Sequence, residues 1–321
     1  MASVTRAQLH SPVRETARLL ALGWLAEADA ALTRLPNSED TEALHDFRVS
    51  LRRFRSTVRA YQAYLKGSAP KKARRRMGAL ASGTNPGRDA EVQIAWLESQ
   101  RDRLTPAELA GWGWLVARAE KRCAESYAQA RQRIAGAYRS ARRDVEERFS
   151  SSGVQPEPPS SEPQQPTFVE VTAELIREHA GDLRDLLPRI KTSQDEAEAH
   201  AARIAAKRLR YLLEPLTESV AGVQPLIKEL KELQDTLGEL HDAHVMSAEI
   251  AAAIEVVTAE QAHRLAESPL PGLRALTRLC GERRDRLFHA LGDHWLNGCA
   301  LGYFARVSQL AGDLTGRAEM D

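Results

Sequence analysis

The chain has 321 residues, of which 43% are hydrophobic and 28% charged, enough apolar material to bury a core in one large domain or two of ordinary size. Aromatic residues make up only 5%, while Ala, Leu, Arg and Glu, which lose least on entering a helix, are abundant; a β-rich fold is excluded and an all-α protein is predicted. No apolar run reaches the length of about 18 residues that a membrane span needs, and Met1–Leu20 carries Arg6, Arg14, Glu15 and Arg18 where a secretory signal requires unbroken apolar sequence.

Three scattered cysteines, Cys123, Cys280 and Cys299, are too few for a disulfide framework or a zinc site. They are expected to be buried small hydrophobes in a protein of the reducing cytosol.

In chain order, Val13–Leu35 reads as an amphipathic helix. The polar stretch Asn37-Ser38-Glu39-Asp40-Thr41 then offers N-cap oxygens to a second helix. A third segment opens near Pro70 and runs toward Arg88-Asp89. A fourth, long segment starts at Thr105-Pro106, with Gly111, Gly113 and Gly136 as expected bends. Trp112 and Trp114 within it are expected to pack between helices. Ser150–Thr167, with five prolines and five serines, has no apolar periodicity and reads as a flexible linker. The predicted organisation is therefore 1–149, a linker at 150–167, and 168–321.

The second half repeats the first. His45-Asp46-Phe47-Arg48-Val49-Ser50-Leu51-Arg52-Arg53-Phe54-Arg55 returns 155 residues later as His200-Ala201-Ala202-Arg203-Ile204-Ala205-Ala206-Lys207-Arg208-Leu209-Arg210, both H-x-x-R-x-x-x-[RK]-R-x-R. The same offset pairs Arg34 with Arg189, Arg131 with Arg286 and Phe149 with Phe304. The remaining helices recur as Phe168–Ile190, a capping stretch Thr192–Asp195, a segment from Pro225 toward His241-Asp242, and one from Pro271.

Net charge conceals the distribution of charge. Lys+Arg 45 against Asp+Glu 44 gives a formal +1, yet His45 to Arg88 holds twelve Lys or Arg and a single acid, Asp46. In the motif helix His45, Arg48, Arg52, Arg55 and Arg59 fall within an arc of roughly 80°, beside an apolar stripe of Leu44, Phe47, Leu51, Phe54, Val58 and Tyr61. The second copy sets His200, Arg203, Lys207 and Arg210 beside Ala199, Ala202, Ala206, Leu209, Leu213 and Leu216. Like charges repeated along one flank cost stability unless an anion joins them. By contrast, Arg142, Arg143 and Arg148 are interleaved with Asp144, Glu146 and Glu147 and are expected to be neutralised locally.

A linear stripe suits an extended polyanion better than a single phosphate, for which a Gly-rich loop is the usual device. No exposed aromatic residues interleave with the basic ones as stacking platforms, which favours a chain of phosphates over nucleic acid.

The duplicated motif, with Arg88-Asp89-Ala90-Glu91-Val92 and His241-Asp242-Ala243-His244-Val245 downstream, resembles the CHAD family, the conserved histidine α-helical domain, over nearly the whole chain. The resemblance implies two four-helix bundles related by pseudo-twofold symmetry. It also implies a basic central surface that binds inorganic polyphosphate, association with polyphosphate granules in some members, and binding without catalysis. Many members are joined to a CYTH triphosphatase domain, whose E-x-E-x-K strand is missing here, so a stand-alone member is expected, in the cytoplasm. The expected contacts are His45, Arg48, Arg52, Arg53, Arg55, Arg59, Lys72, Arg75, Arg76 and Arg131 in the first half, and His200, Arg203, Lys207, Arg208, Arg210, Lys228, Lys231 and Arg286 in the second.

His241 stands where an arginine is expected, and acids such as Glu214, Glu218 and Glu229 dilute the second half, so the first should dominate affinity. Spacing leaves open whether His45 and His200 touch ligand or pack between helices, and whether the chain forms a homo-oligomer. No cofactor, metal, membrane or catalytic residue is expected. The alternatives weighed are a metal-dependent phosphohydrolase acting on a phosphate polymer, suggested by His45-Asp46 and His241-Asp242, and nonspecific nucleic-acid binding. The first fails to recur in the duplication, since Asp46 aligns with Ala201. Asp89 and Asp242 do recur and are expected to cap helices or orient arginines.

Overall fold

Apolar residues at helical spacing, broken by prolines, glycines and capping oxygens, place helices along almost the entire chain. A computed structural model describes residues 2–35, 40, 42–65, 71–83, 85–151, 166–261 and 268–318. Among these the helices are α1 Arg6–Leu9, α2 Val13–Arg34, α3 Glu42–Ala60, α4 Lys71–Gly83, α5 Asn85–Gln100, α6 Leu109–Ser151, α7 Phe168–Leu186, α8 Glu196–Leu213, α9 Val223–Gln261, α10 Leu270–His294 and α11 Leu301–Ala318. Most of the expected linker, and Pro70, lie outside the described residues.

The fold is all-helical, as predicted, but the two halves break their helices at different places. In the first half α4 and α5 cover the third segment on either side of Thr84, which lies outside the described residues. In the second half α9 runs unbroken far beyond His241-Asp242. The fourth segments differ. The 43-residue α6 is continuous, whereas α10 and α11 are separated by a turn in which Asn297 and Gly298 take φ of 53° and 86°, a left-handed pair that ends a helix.

Gly111, Gly113 and Gly136 therefore do not bend α6 out of helical geometry. Gly111 instead serves the packing of helices, since a Cβ there would overlap the carbonyl oxygen of Pro269, and one on Gly272 would overlap that of Glu108. The two glycines let α6 and α10 cross backbone to backbone. Capping also departs from expectation at one site. Asp40 accepts from the Ala43 amide at 3.0 Å and caps α3, whereas Asp195 turns back to the amides of Lys191 and Thr192 at 2.7 and 2.8 Å.

Contacts between the halves join α2 to α7, α3 to α8, α5 to α9 and α6 to α10. Where the first helices begin, the Val13 amide donates to Pro166 O at 3.1 Å and the Phe168 amide to Ser11 O at 2.9 Å. Each bond is the other displaced by 155 in both of its residues, and between them lies an isolated bridge of Pro12 with Thr167.

Burial does not divide at the linker. One core cluster gathers Trp24, Phe47, Phe54 and Tyr138 with Phe168, Leu183, Leu209 and Val307. A smaller one combines Trp96, Leu97 and Leu115 with Ile250, Leu273 and Cys280. Trp112 and Trp114 pack on this second cluster, as expected, and the Trp112 indole donates to Leu97 O at 2.8 Å. Of the cysteines only Cys280 is buried; Cys123 is half-buried and Cys299 exposed, contrary to the expectation that all three are core residues. Cys299 follows the left-handed pair in the turn after α10.

Candidate anion-binding site

The motif helices deliver the two faces read from their spacing. Phe47, Leu51, Phe54, Val58 and Tyr61 of the first stripe are buried, as are Ala199, Ala202, Ala206, Leu209, Leu213 and Leu216 of the second. With those stripes packed inward and α3 laid against α8, the basic flanks meet at an open cavity of about 940 Å³. Arg52, Arg55 and Arg59 of α3, Arg75 of α4, and Lys207 and Arg208 of α8 line it. Among the lining residues Glu178 and Asp182, both on α7, are the acids, and His179 lies beside them.

Electrostatics inside the cavity are dominated by crowded cations. Arg55 lies flat against α4, where a Cβ on Gly78 would sit 3.4 Å from the guanidinium carbon. Burial, followed by the charges of Arg203, Arg52 and Arg210, pulls the Lys207 ammonium down to about 7, with Asp242 opposing. Burial and then Arg59 lower the guanidinium of Arg208. No ion pair of Arg52, Arg55, Arg59, Arg75 or Lys207 occurs among the described residues. The Nε of Arg52 is shielded from water with no hydrogen-bond partner, as is the hydroxyl of Tyr211, another lining residue. A polyanion entering here meets donors that lack protein acceptors.

Beyond the cavity the positive zone continues along the central contact. Arg48 donates to Asn85 Oδ1 at 3.0 Å, and the Nε of Arg203 passes over Gly238 of α9. His45 and His200 are exposed. The His200 ring lies 5.2 Å from that of His241, and desolvation, followed by Arg52, holds His45 below its ordinary pKa.

Asp89 and Asp242 are not helix caps: Asp242 sits in the middle of α9 and Asp89 past the first turn of α5. They lie among Arg48, Arg88, Arg203 and Arg283, and burial raises the pKa of each against those charges. Among the described residues no group of three His, Cys, Asp or Glu is arranged to hold a metal.

Several expected contacts are placed elsewhere. Arg53 donates to Glu214 at 2.7 Å and stacks over Trp24 at 5.1 Å, while Arg210 lies 3.3 Å from the same carboxylate. Both are held in a nearly buried ion cluster and point away from the cavity. Arg76 pairs with Asp144 at 3.0 Å, its position on α4 directing it to α6. Lys228 and Lys231 are exposed on α9 and Arg286 on α10, none of them at the cavity. The side chains of Lys72 and Arg131 lie outside the described residues. Arg142 is neutralised as expected by Glu146, but also by Asp29 of α2 at 2.7 Å.

Sequence reasoning missed Tyr211 and the α7 residues Glu178, His179 and Asp182. The spacing of the three α7 residues is that of any solvated helix flank, so only the meeting of α7 with α8 reveals them.

A model of the CHAD domain matches residues 17–251. Among solved structures the chain is similar to the CHAD domain from the plant Ricinus communis, at 18% identity and a TM-score of 0.65 over 95% of each chain. It is also similar to PptA from Streptomyces chartreusis, at 17% identity and a TM-score of 0.56, covering 97% of this chain and 100% of that one. At such identities these likenesses concern the fold. No curated protein matches the sequence.

Proposed function

The chain belongs to the CHAD domain family, and we propose that it is a binding module for inorganic polyphosphate that holds the polymer in the cavity between α3 and α8 without catalysing a reaction on it. The observation that carries this reading is the convergence of six cationic side chains on one open cavity, in a chain whose formal net charge is only +1. Guanidinium groups match phosphate oxygens two at a time. Successive helical turns space them along a line, so consecutive phosphates of one polymer can each find a donor. The association of the family with polyphosphate supports the same ligand.

We further propose that the two repeats form bundles related by a pseudo-twofold axis. The 155-residue offset, the contacts between corresponding helices and the reciprocal bonds at Pro12 and Thr167 support this arrangement. A cytoplasmic location at polyphosphate granules follows from the ligand. Hydrolysis at a metal gains no support from Asp89 and Asp242, whose charge is already matched by surrounding arginines.

The test is calorimetric titration of the full chain with polyphosphates of defined length, against orthophosphate, duplex DNA and heparin at matched charge. Affinity should rise with polymer length and fall steeply with salt. Equal affinity for orthophosphate and long polymer, or preference for DNA, would overturn the reading.

A further inference from the structure

Displacement by 155 residues relates the buried ion cluster to the open cavity. Arg53, Arg210 and Glu214 correspond to Arg208, Arg55 and Arg59. The first three form the cluster, with Arg53 and Glu214 at 14% and 8% exposure; the second three line the cavity. The difference lies in one charge. Where Glu214 brings a carboxylate between two guanidinium groups, Arg59 brings a third guanidinium, and none of these three makes an ion pair among the described residues.

The surroundings correspond as well. Arg53 senses the charge of Glu27, and Arg208 that of Asp182, 155 positions later. The covered face is occupied by the chain's own residues 2–4. The Ala2 amide donates to Glu27 at 2.6 Å and its Cβ leaves no space for one on Gly23. The Ser3 hydroxyl donates to Glu218 at 2.8 Å, and the Val4 amide to Pro215 O at 2.9 Å. Displaced by 155, those four partners become Asp182, Glu178, Ala63 and Ala60, all of which line the open cavity.

We propose that the covered face is a second copy of the anion site, occupied from within, in which the carboxylate of Glu214 stands where the open cavity takes an anionic phosphoryl group between Arg55 and Arg208. Residues 2–4 fill the rest of that copy. Of the two copies one is thus open to ligand, and Glu214 marks by correspondence where the ligand charge sits in it. The assignment of the ligand group rests on the polyphosphate reading; the equivalence of the two clusters does not.

Arg59→Glu in the full chain tests the equivalence, with Arg59→Gln as the control for simple loss of charge. The acid should complete in the open cavity the cluster already present on the other face. Without ligand, Arg59→Glu should therefore melt about 2 to 5 °C above Arg59→Gln, and the margin should shrink in high salt. Added tripolyphosphate should raise the melting temperature of the native chain and of Arg59→Gln, and leave Arg59→Glu unmoved. Melting of Arg59→Glu at or below Arg59→Gln would overturn the proposal. A thermal gain in Arg59→Glu together with a native chain indifferent to tripolyphosphate would uphold the equivalence of the clusters and reject the polyphosphate reading.

Discussion

Gly111 and Gly272 each occupy the space that a side chain on the other would need, with a Cβ on either lying 2.9 Å from the Cα of its partner. Alanine at either position forces α6 and α10 apart. The helix-propensity gain of about 1 kcal/mol is then outweighed by an overpacking cost of about 1 to 3 kcal/mol. Gly113 and Gly136 have open space where a Cβ would go, so alanine there should be neutral or stabilise by up to about 1 kcal/mol. Denaturant unfolding of the four single variants measures the contrast. Uniform effects would mean that the crossing does not depend on the absent side chains.

Position, rather than charge alone, should govern binding. Arg52→Ala with Arg55→Ala removes two charge-assisted contacts and should weaken polyphosphate binding by roughly ten- to a thousandfold at moderate salt. Arg274→Ala with Arg278→Ala removes the same formal charge from the exposed flank of α10, where Arg278 already pairs with Glu282 at 2.9 Å, and should cost less than about threefold. Equal modest losses on calorimetric titration would leave only nonspecific attraction.

Arg53 belongs to stability. Arg53→Met strands the Glu214 carboxylate in a nearly closed site, and removing one partner of a buried pair costs about 3 to 5 kcal/mol. The remaining approach of Arg210 should bring the loss toward the lower end. Polyphosphate affinity, measured well below the melting temperature, should stay within about twofold because Arg53 does not line the cavity.

Lys207 should make both stability and binding depend on pH. Its folded pKa of about 7 lies below the unfolded value of about 10.4. Between these values the unfolded chain binds more protons, so stability rises with pH across that window and the penalty is fully present below it. Lys207→Met removes the penalty and should stabilise the chain at pH 6 by on the order of 2 kcal/mol, less at pH 9. Binding runs the other way. A polyanion favours the charged ammonium, so affinity should fall between pH 6 and 8 with proton uptake, and Lys207→Met should flatten that dependence.

The faces of α3 and α8 were legible because a period of 3.6 residues determines which side chains share an arc. Spacing alone puts Phe47 and Phe54 inside, and Arg52, Arg55 and Arg59 together. Arg53 departs from the expected contacts because its neighbours in sequence line the cavity while its own direction is about 160° away from Arg55 around the helix. What it meets there, Glu214, depends on how α3 crosses α8. The replacement of Arg59 by Glu214 in the repeat was visible in the sequence, though its consequence needed the crossing. Asn297-Gly298 carries an ordinary helix-breaking signal, but it has no counterpart at the 155-residue offset, so an expectation of equal halves hides it.

The reciprocal bonds at Pro12 and Thr167 close contacts between residues very distant along the chain. Loop closure of that length costs only logarithmically more than a short one, so equilibrium stability hardly registers it, but long-range contacts are slow to form. The larger core also joins the halves directly, with the rings of Tyr61 and Phe168 5.1 Å apart. While only the first half has emerged from the ribosome, the part of that core which α7 and α8 close stays open. The chain must carry an unfinished surface through much of its own synthesis, and its vulnerability to aggregation is concentrated in that interval, ending when α7 and α8 arrive.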